Sequence, residues 1–156
     1  MVRFKNRYMT VEIVPQKGST SVMESFQLKD YEVYQAVLNI TEQIHGDFGA
    51  AAVKHGLEVK YCNEHTRVAV IRSRHGPHRL VGSSLPFLSK IGKKSVRIHS
   101  IYTGGTIVKC FKFLQKYHEK KLGEALRLCK NEAEKQKMTE CISKIHFDPK
   151  LEKKTM

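Results

Sequence analysis

The residues able to do chemistry in this chain are cations and a glycine turn rather than paired acids or activated nucleophiles. In the run from Thr103 through Gly104 and Gly105 to Thr106, two glycines open a helical pattern. Backbone N–H groups at such a turn point outward and attract an anion. Lys109, Lys112, Lys116 and Lys120 follow at steps of three and four, which sets them on one face of the helix. The turn also reads as a plain strand-to-helix link capped by Thr106, and spacing does not separate the two readings. His75 and His78 flank Gly76 and Pro77. Two histidines in a loop without further ligands read as solvated groups or phosphate contacts sooner than as a metal site.

A second cationic feature is the opening segment, MVRFKNRY, in which Arg3, Lys5 and Arg7 alternate with Phe4, Asn6 and Tyr8. As a strand, it carries its cations on one face and its aromatics on the other. Such a ribbon suits a polyanion. It equally suits an edge strand that uses Lys and Arg to deter pairing with another sheet.

Charge favours the first reading. The formal net charge is +13 over 156 residues. Residues 51–123 hold 15 Lys or Arg against only Glu58, Glu64 and Glu119, while the flanking segments are nearly balanced. A basic excess concentrated in one stretch points to a nucleic-acid partner. No basic amphipathic helix with a bulky apolar face supports a membrane partner, and no run approaches the length of a membrane span. The four cysteines, Cys62, Cys110, Cys129 and Cys141, show neither a C-x-x-C pair nor zinc-type spacing, so they read as buried thiols of a reducing compartment, cytosolic or nuclear.

The elements that must position these groups follow from the apolar pattern. The opening continues as a strand to Pro15. A helix capped by Asp30 runs to about Ile44, with Val33, Val37, Ile40 and Ile44 on one face and HGDFG ending it. Residues 51–62 alternate as a long strand with Gly56 as a bulge, and NEHT turns the chain into a second strand, 67–74. HRLVGSSLPFL reads as a short helix with Leu80, Ser84, Leu85 and Leu88 inward. A strand over 94–103 leads through the glycine turn into a helix over 106–122, with Ile107, Phe111 and Leu114 inward. Asn131 and Glu134 form a capping box for a last helix to about Ile145, before a charged tail.

The order βαββαβ followed by helices is that of an α+β sandwich, the ferredoxin-like arrangement also used by RNA-recognition domains. RVAVIRSR lacks the aromatics that stack bases on the open sheet of such domains, and it is apolar on both faces. The sheet is therefore expected to be covered on both sides, by the two inner helices and by the C-terminal ones. Nucleic acid must then be met at edges, loops and the N-terminal arm. The candidate RNA contacts are Arg3, Lys5, Asn6 and Arg7 of the arm; Arg72, Arg74 and Arg79 around the second hairpin strand and the loop after it; Gly104, Gly105 and Thr106 at the turn; and Lys109, Lys112 and Lys116 of the stripe. One RNA-binding domain is expected over residues 1–147, with a disordered tail over 148–156.

Catalytic signatures are missing from the sequence. There is no H-E-x-x-H, G-x-S-x-G or EF-hand loop, and the carboxylates are too scattered for a two-metal centre. IGKKS resembles the end of a P-loop, but Phe87 stands where that motif needs Gly. Neither catalytic residues nor a bound metal or cofactor are expected.

MVRFKNRY, HGDFGAAA, YCNEHT, SLPFL and GGTIVKCFKFL, in this order and spacing, together resemble the Pop-five family, small basic subunits of eukaryotic ribonuclease P and ribonuclease MRP. The resemblance runs to about Tyr117. It implies an RNA-recognition-like sandwich that pairs with a TIM-barrel protein subunit of about thirty kilodaltons and sits on the catalytic domain of the RNA. It further implies other protein subunits as partners, a role in removing the 5′ leader of precursor tRNA and in precursor rRNA processing, magnesium held by the RNA, and residence in the nucleus and nucleolus. The arm would lie near the catalytic centre of the RNA. Some members end in acidic runs whereas this chain ends LEKKTM, which leaves the tail without an implied role. Other readings of the residues are a basic subunit of another ribonucleoprotein such as the ribosome, or a metal-dependent nuclease acting alone.

Overall fold

The structure, a computed structural model, describes residues 4–16, 28–64 and 66–128. It divides into two compact units, residues 1–110 and 111–156. In the first unit, strand β1 (Asn6–Pro15) is followed by helix α1 (Asp30–Lys54), the hairpin β2 (Glu58–Asn63) and β3 (Val68–Arg74), helix α2 (His78–Ser84) and a single 3₁₀ turn (Leu85–Phe87). A second hairpin, β4 (Lys90–Ile91) and β5 (Lys94–Gly104), leads into helix α3 (Ile107–Leu128). The described part of the second unit is the remainder of α3.

All strand pairs are antiparallel, in the order β2-β3-β1-β5-β4. This is the expected ferredoxin-like α+β arrangement, with β4 added as a short edge. The two-residue loop of the β4–β5 hairpin is Gly92 and Lys93, with Gly92 at φ 58, so IGKKS makes a tight turn that only glycine adopts readily.

The core lies between the sheet and the two inner helices. Met9, Val11 and Ile13 of β1, Ala69 and Ile71 of β3, and Val96 and Ile98 of β5 face Val33, Val37 and Val53 of α1 and Val81 of α2. Register explains the selection: Met9 opposes Ile71, Val11 opposes Ala69 and Ile13 opposes Ile98, and opposed residues share a face. Val68 and Val70 on the reverse face are as buried as Ala69 and Ile71, as the continuous apolar run of β3 requires. There the first turn of α3 brings Cys110 to β1, where its thiol donates to the Tyr8 carbonyl at 3.5 Å. Burial pushes the Cys110 thiol up and, with Asp30 and Glu64 adding, the Cys62 thiol up to about 12.

Several boundaries differ from the sequence reading. The HGDFG segment kinks α1 rather than ending it: Gly46 takes φ 67 and ψ −169, and the helix resumes to Lys54. The three alanines after the kink are strong helix formers, and the spacing of Val53 and Leu57 by four serves a helix as well as a strand. The strand expected over 51–62 therefore begins only at Glu58. Its bulge falls at Lys60, where the register shifts between Val59 and Tyr61, and not at Gly56. In the short helix Val81 is buried with Ser84, Leu85 and Leu88, while Leu80 is half-buried. Helix α3 extends to Leu128. The capping box at Asn131, the last helix and the tail lie outside the described residues.

Candidate nucleic-acid interface

β1 sits between β3 and β5 from Tyr8 onward, while among the described residues its cationic start, Asn6 and Arg7 included, pairs with β3 alone. Its first residues pair with the end of β3, Asn6 opposite Arg74, and the His75 N–H donates to the Lys5 carbonyl at 2.7 Å. The alternation then sorts the side chains as expected. Phe4, Asn6 and Tyr8 share the face of Arg72 and Arg74, while Lys5 and Arg7 share that of Ser73. The two aromatics have different fates: Tyr8 is buried, whereas Phe4 is exposed and stacks under the Arg74 guanidinium, 4.6 Å from the ring centroid. Arg3 lies outside the described residues.

Arg7 connects three segments. Its Nη1 donates to the Asn6 carbonyl at 3.1 Å and lies 3.6 Å from where a Cβ on Gly105 would stand. Its charge also acts on His78 in the loop before α2. That loop is compact: the His75 and His78 rings stack with centroids 5.3 Å apart, and the Gly76 N–H donates to His78 Nδ1 at 3.1 Å. With Nδ1 accepting, the neutral ring presents its proton at Nε2. Partial burial lowers the pKa of His78, and the charges of His75, Arg7 and Arg79 lower it further. Among the described residues no group of three or more His, Cys, Asp or Glu side chains could hold a metal ion.

At the glycine turn the capping geometry is present, with the Lys109 N–H meeting Thr106 Oγ1 at 3.4 Å. Gly104 is buried and faces Cys110, while Gly105 and Thr106 are exposed. Lys109, Lys112, Lys116 and Lys120 are all exposed along α3, as the stripe requires.

Arg72 stands apart from the other candidates. It is half-buried and pairs with Glu58 at 2.9 Å, and Glu58 also binds Lys60, so its charge is largely offset within the sheet. Among the described residues, no carboxylate pairs with Lys5, Arg7, Arg74 or Arg79. Those four cations gather at one end of the sheet, with the exposed Arg79 opening α2. The sequence reading missed Phe4 as part of this cluster because alternation groups it with Tyr8. The available signal was its place two residues before the first strand pair.

The model of the Rpp14/Pop5 family matches residues 7–115. The chain belongs to the Rpp14/Pop5 family. Similar proteins include the zebrafish (Danio rerio) "Ribonuclease P/MRP protein subunit POP5", 40% identical over 149 residues, with 91% of this chain and 85% of that protein covered. The human (Homo sapiens) protein of the same name is 33% identical over 148 residues, covering 92% and 88%. A chain of the "Cryo-EM structure of yeast Ribonuclease MRP" superposes with a TM-score of 0.46 at 14% identity, covering 80% of this chain and 97% of that one. The Rpp14/Pop5 match takes in Arg7, Arg74, Arg79, the glycine turn, Lys109 and Lys112, and begins after Lys5.

Proposed function

We propose that this chain is an RNA-binding protein subunit of the ribonuclease P and ribonuclease MRP particles, and that it meets the RNA with the end of the sheet where the arm begins. Family membership supports the particle. One observation carries the surface: Lys5, Arg7, Arg74 and Arg79 converge there without a carboxylate partner among the described residues. Cations without a carboxylate partner suit crowded phosphates, whose condensed counterions they release. Chemistry is supplied by the RNA and by magnesium held on the RNA, and the chain positions and neutralises. In this reading the substrates are precursor tRNA, cut at its 5′ leader, and precursor rRNA. The protein partners include a TIM-barrel subunit, and the particle works in the nucleus and nucleolus.

The test is reconstitution of the particle with Lys5→Gln and Arg7→Gln together. Lys5 is exposed and Arg7 half-buried at the strand's start, and neither belongs to the apolar core, so melting should show a folded protein. Cleavage of precursor tRNA should fall at low magnesium and recover partly as magnesium is raised, because both cations act on the same phosphates. Wild-type cleavage across the titration would remove the arm from the RNA. In a companion assay, the pure chain with magnesium and no RNA subunit should leave precursor tRNA intact; cleavage would make the protein itself the nuclease.

A further inference from the structure

Phe4 is 75% exposed, and one face of its ring is already taken by the Arg74 guanidinium. The stem that carries the guanidinium is packed closely. A Cβ on Gly56 would lie 2.5 Å from Arg74 Cγ, 3.2 Å from its Cδ and 3.3 Å from its backbone nitrogen, so the arginine stem runs against bare backbone that only glycine leaves free. Strand pairing of Asn6 with Arg74 fixes the register of the two segments. The result is a two-layer stack, guanidinium and then phenyl ring, whose ring is largely exposed among the described residues.

An exposed phenyl ring gains little from water. It gains more from a second flat π system. Base-to-aromatic stacking is favourable and tolerates any base identity, because every base has a π face. The cation beneath the ring offsets the ring's negative face, which favours offset stacking above it. Arg74 is unpaired by any carboxylate among the described residues, so the site offers positive charge to the phosphate beside a stacked base. In a duplex the faces of the bases are already stacked on one another, so the fitting ligand is an unpaired nucleotide.

We propose that Phe4, backed by Arg74 on Gly56, is a stacking platform for one unpaired RNA base. The inference rests on the RNA-binding reading above and adds the kind of nucleotide and the residue that grips it.

The experiment uses the full chain with a short single-stranded RNA carrying 2-aminopurine, and the same RNA annealed to its complement. Binding of the wild type should quench the single-strand fluorescence. Phe4→Leu keeps the apolar bulk and removes the π face; it should abolish the quenching and weaken single-strand binding roughly tenfold. Its salt slope and its binding of the duplex should stay as in the wild type, and Phe4→Trp should restore the quenching. Three results would overturn the proposal. Wild-type affinity and quenching in Phe4→Leu would sink the platform while leaving the RNA-binding reading standing. Equal weakening for duplex and single strand would reduce Phe4 to a structural part. Salt-independent or absent binding of both RNAs by the wild type would take the RNA-binding reading down with it.

Discussion

A methyl group added to Gly104 would fall 2.9 Å from Tyr102 Cε1 and 3.1 Å from Cys110 Sγ, whereas one added to Gly105 would stand 3.6 Å from Arg7 Nη1. Gly104 is thus a packing residue and Gly105 is not. Gly104→Ala should destabilise by roughly 1–3 kcal/mol through overpacking, and Gly105→Ala should leave the melting temperature within error. Thermal melts of the two variants check this, and the reverse order would contradict the division of roles at the turn. His78 makes a second prediction at this scale. Its folded pKa is lowered from the usual 6.5, chiefly by burial, and protonation would also break the bond from the Gly76 N–H. The unfolded chain therefore takes up this proton first. Its contribution to stability is full above about pH 6.5 and is lost as pH falls below that value toward the folded pKa. Substituting His78→Gln should flatten the pH dependence of stability between about pH 7 and 5. Bound RNA should raise the His78 titration midpoint, because a phosphate favours the charged ring, and an NMR titration with and without RNA reads it directly.

At the scale of elements, the lysine face of α3 and the arm make separable claims. Replacing Lys109, Lys112 and Lys116 by Gln should weaken RNA binding across sequences and reduce the salt slope by roughly 0.7 to 0.9 for each phosphate no longer neutralised. An unchanged slope would assign the stripe to solvent or to an acidic protein surface. The stripe and the order of strands were legible in the sequence because each rests on a period, 3.6 or 2, that successive residues repeat. The kink of α1 was not, since a glycine at positive φ can end a helix or bend it, and the choice depends on whether Val53 finds a core to enter. The Glu58–Arg72 pair was equally hidden. Nothing local links two residues so far apart in the chain until the β2–β3 hairpin sets them opposite one another. Arg72 therefore reads like Arg74 in the sequence, although among the described residues Arg72 pairs with a carboxylate and Arg74 does not.

Across the described molecule, protection should follow the middle of the sheet. β3 is buried on both faces and β1 is paired on both sides from Tyr8 onward, so their amides should exchange with solvent most slowly, with those of the two-residue β4 among the fastest. Hydrogen exchange followed by mass spectrometry tests this, and early exchange of residues 68–71 would refute the covered sheet. The thiols carry a practical consequence of that same coverage. Alkylating reagents and maleimide dyes attack the thiolate, and burial holds Cys62 and Cys110 in the protonated form well above neutral pH. Once Cys129 and Cys141 are replaced by Ser, a cysteine placed in the exposed lysine face, for instance Lys116→Cys, should be the one position that takes a fluorophore at neutral pH. The protein thus comes with a quiet background for distance measurements, in which a single dye on α3 can report where that helix sits once the particle is assembled.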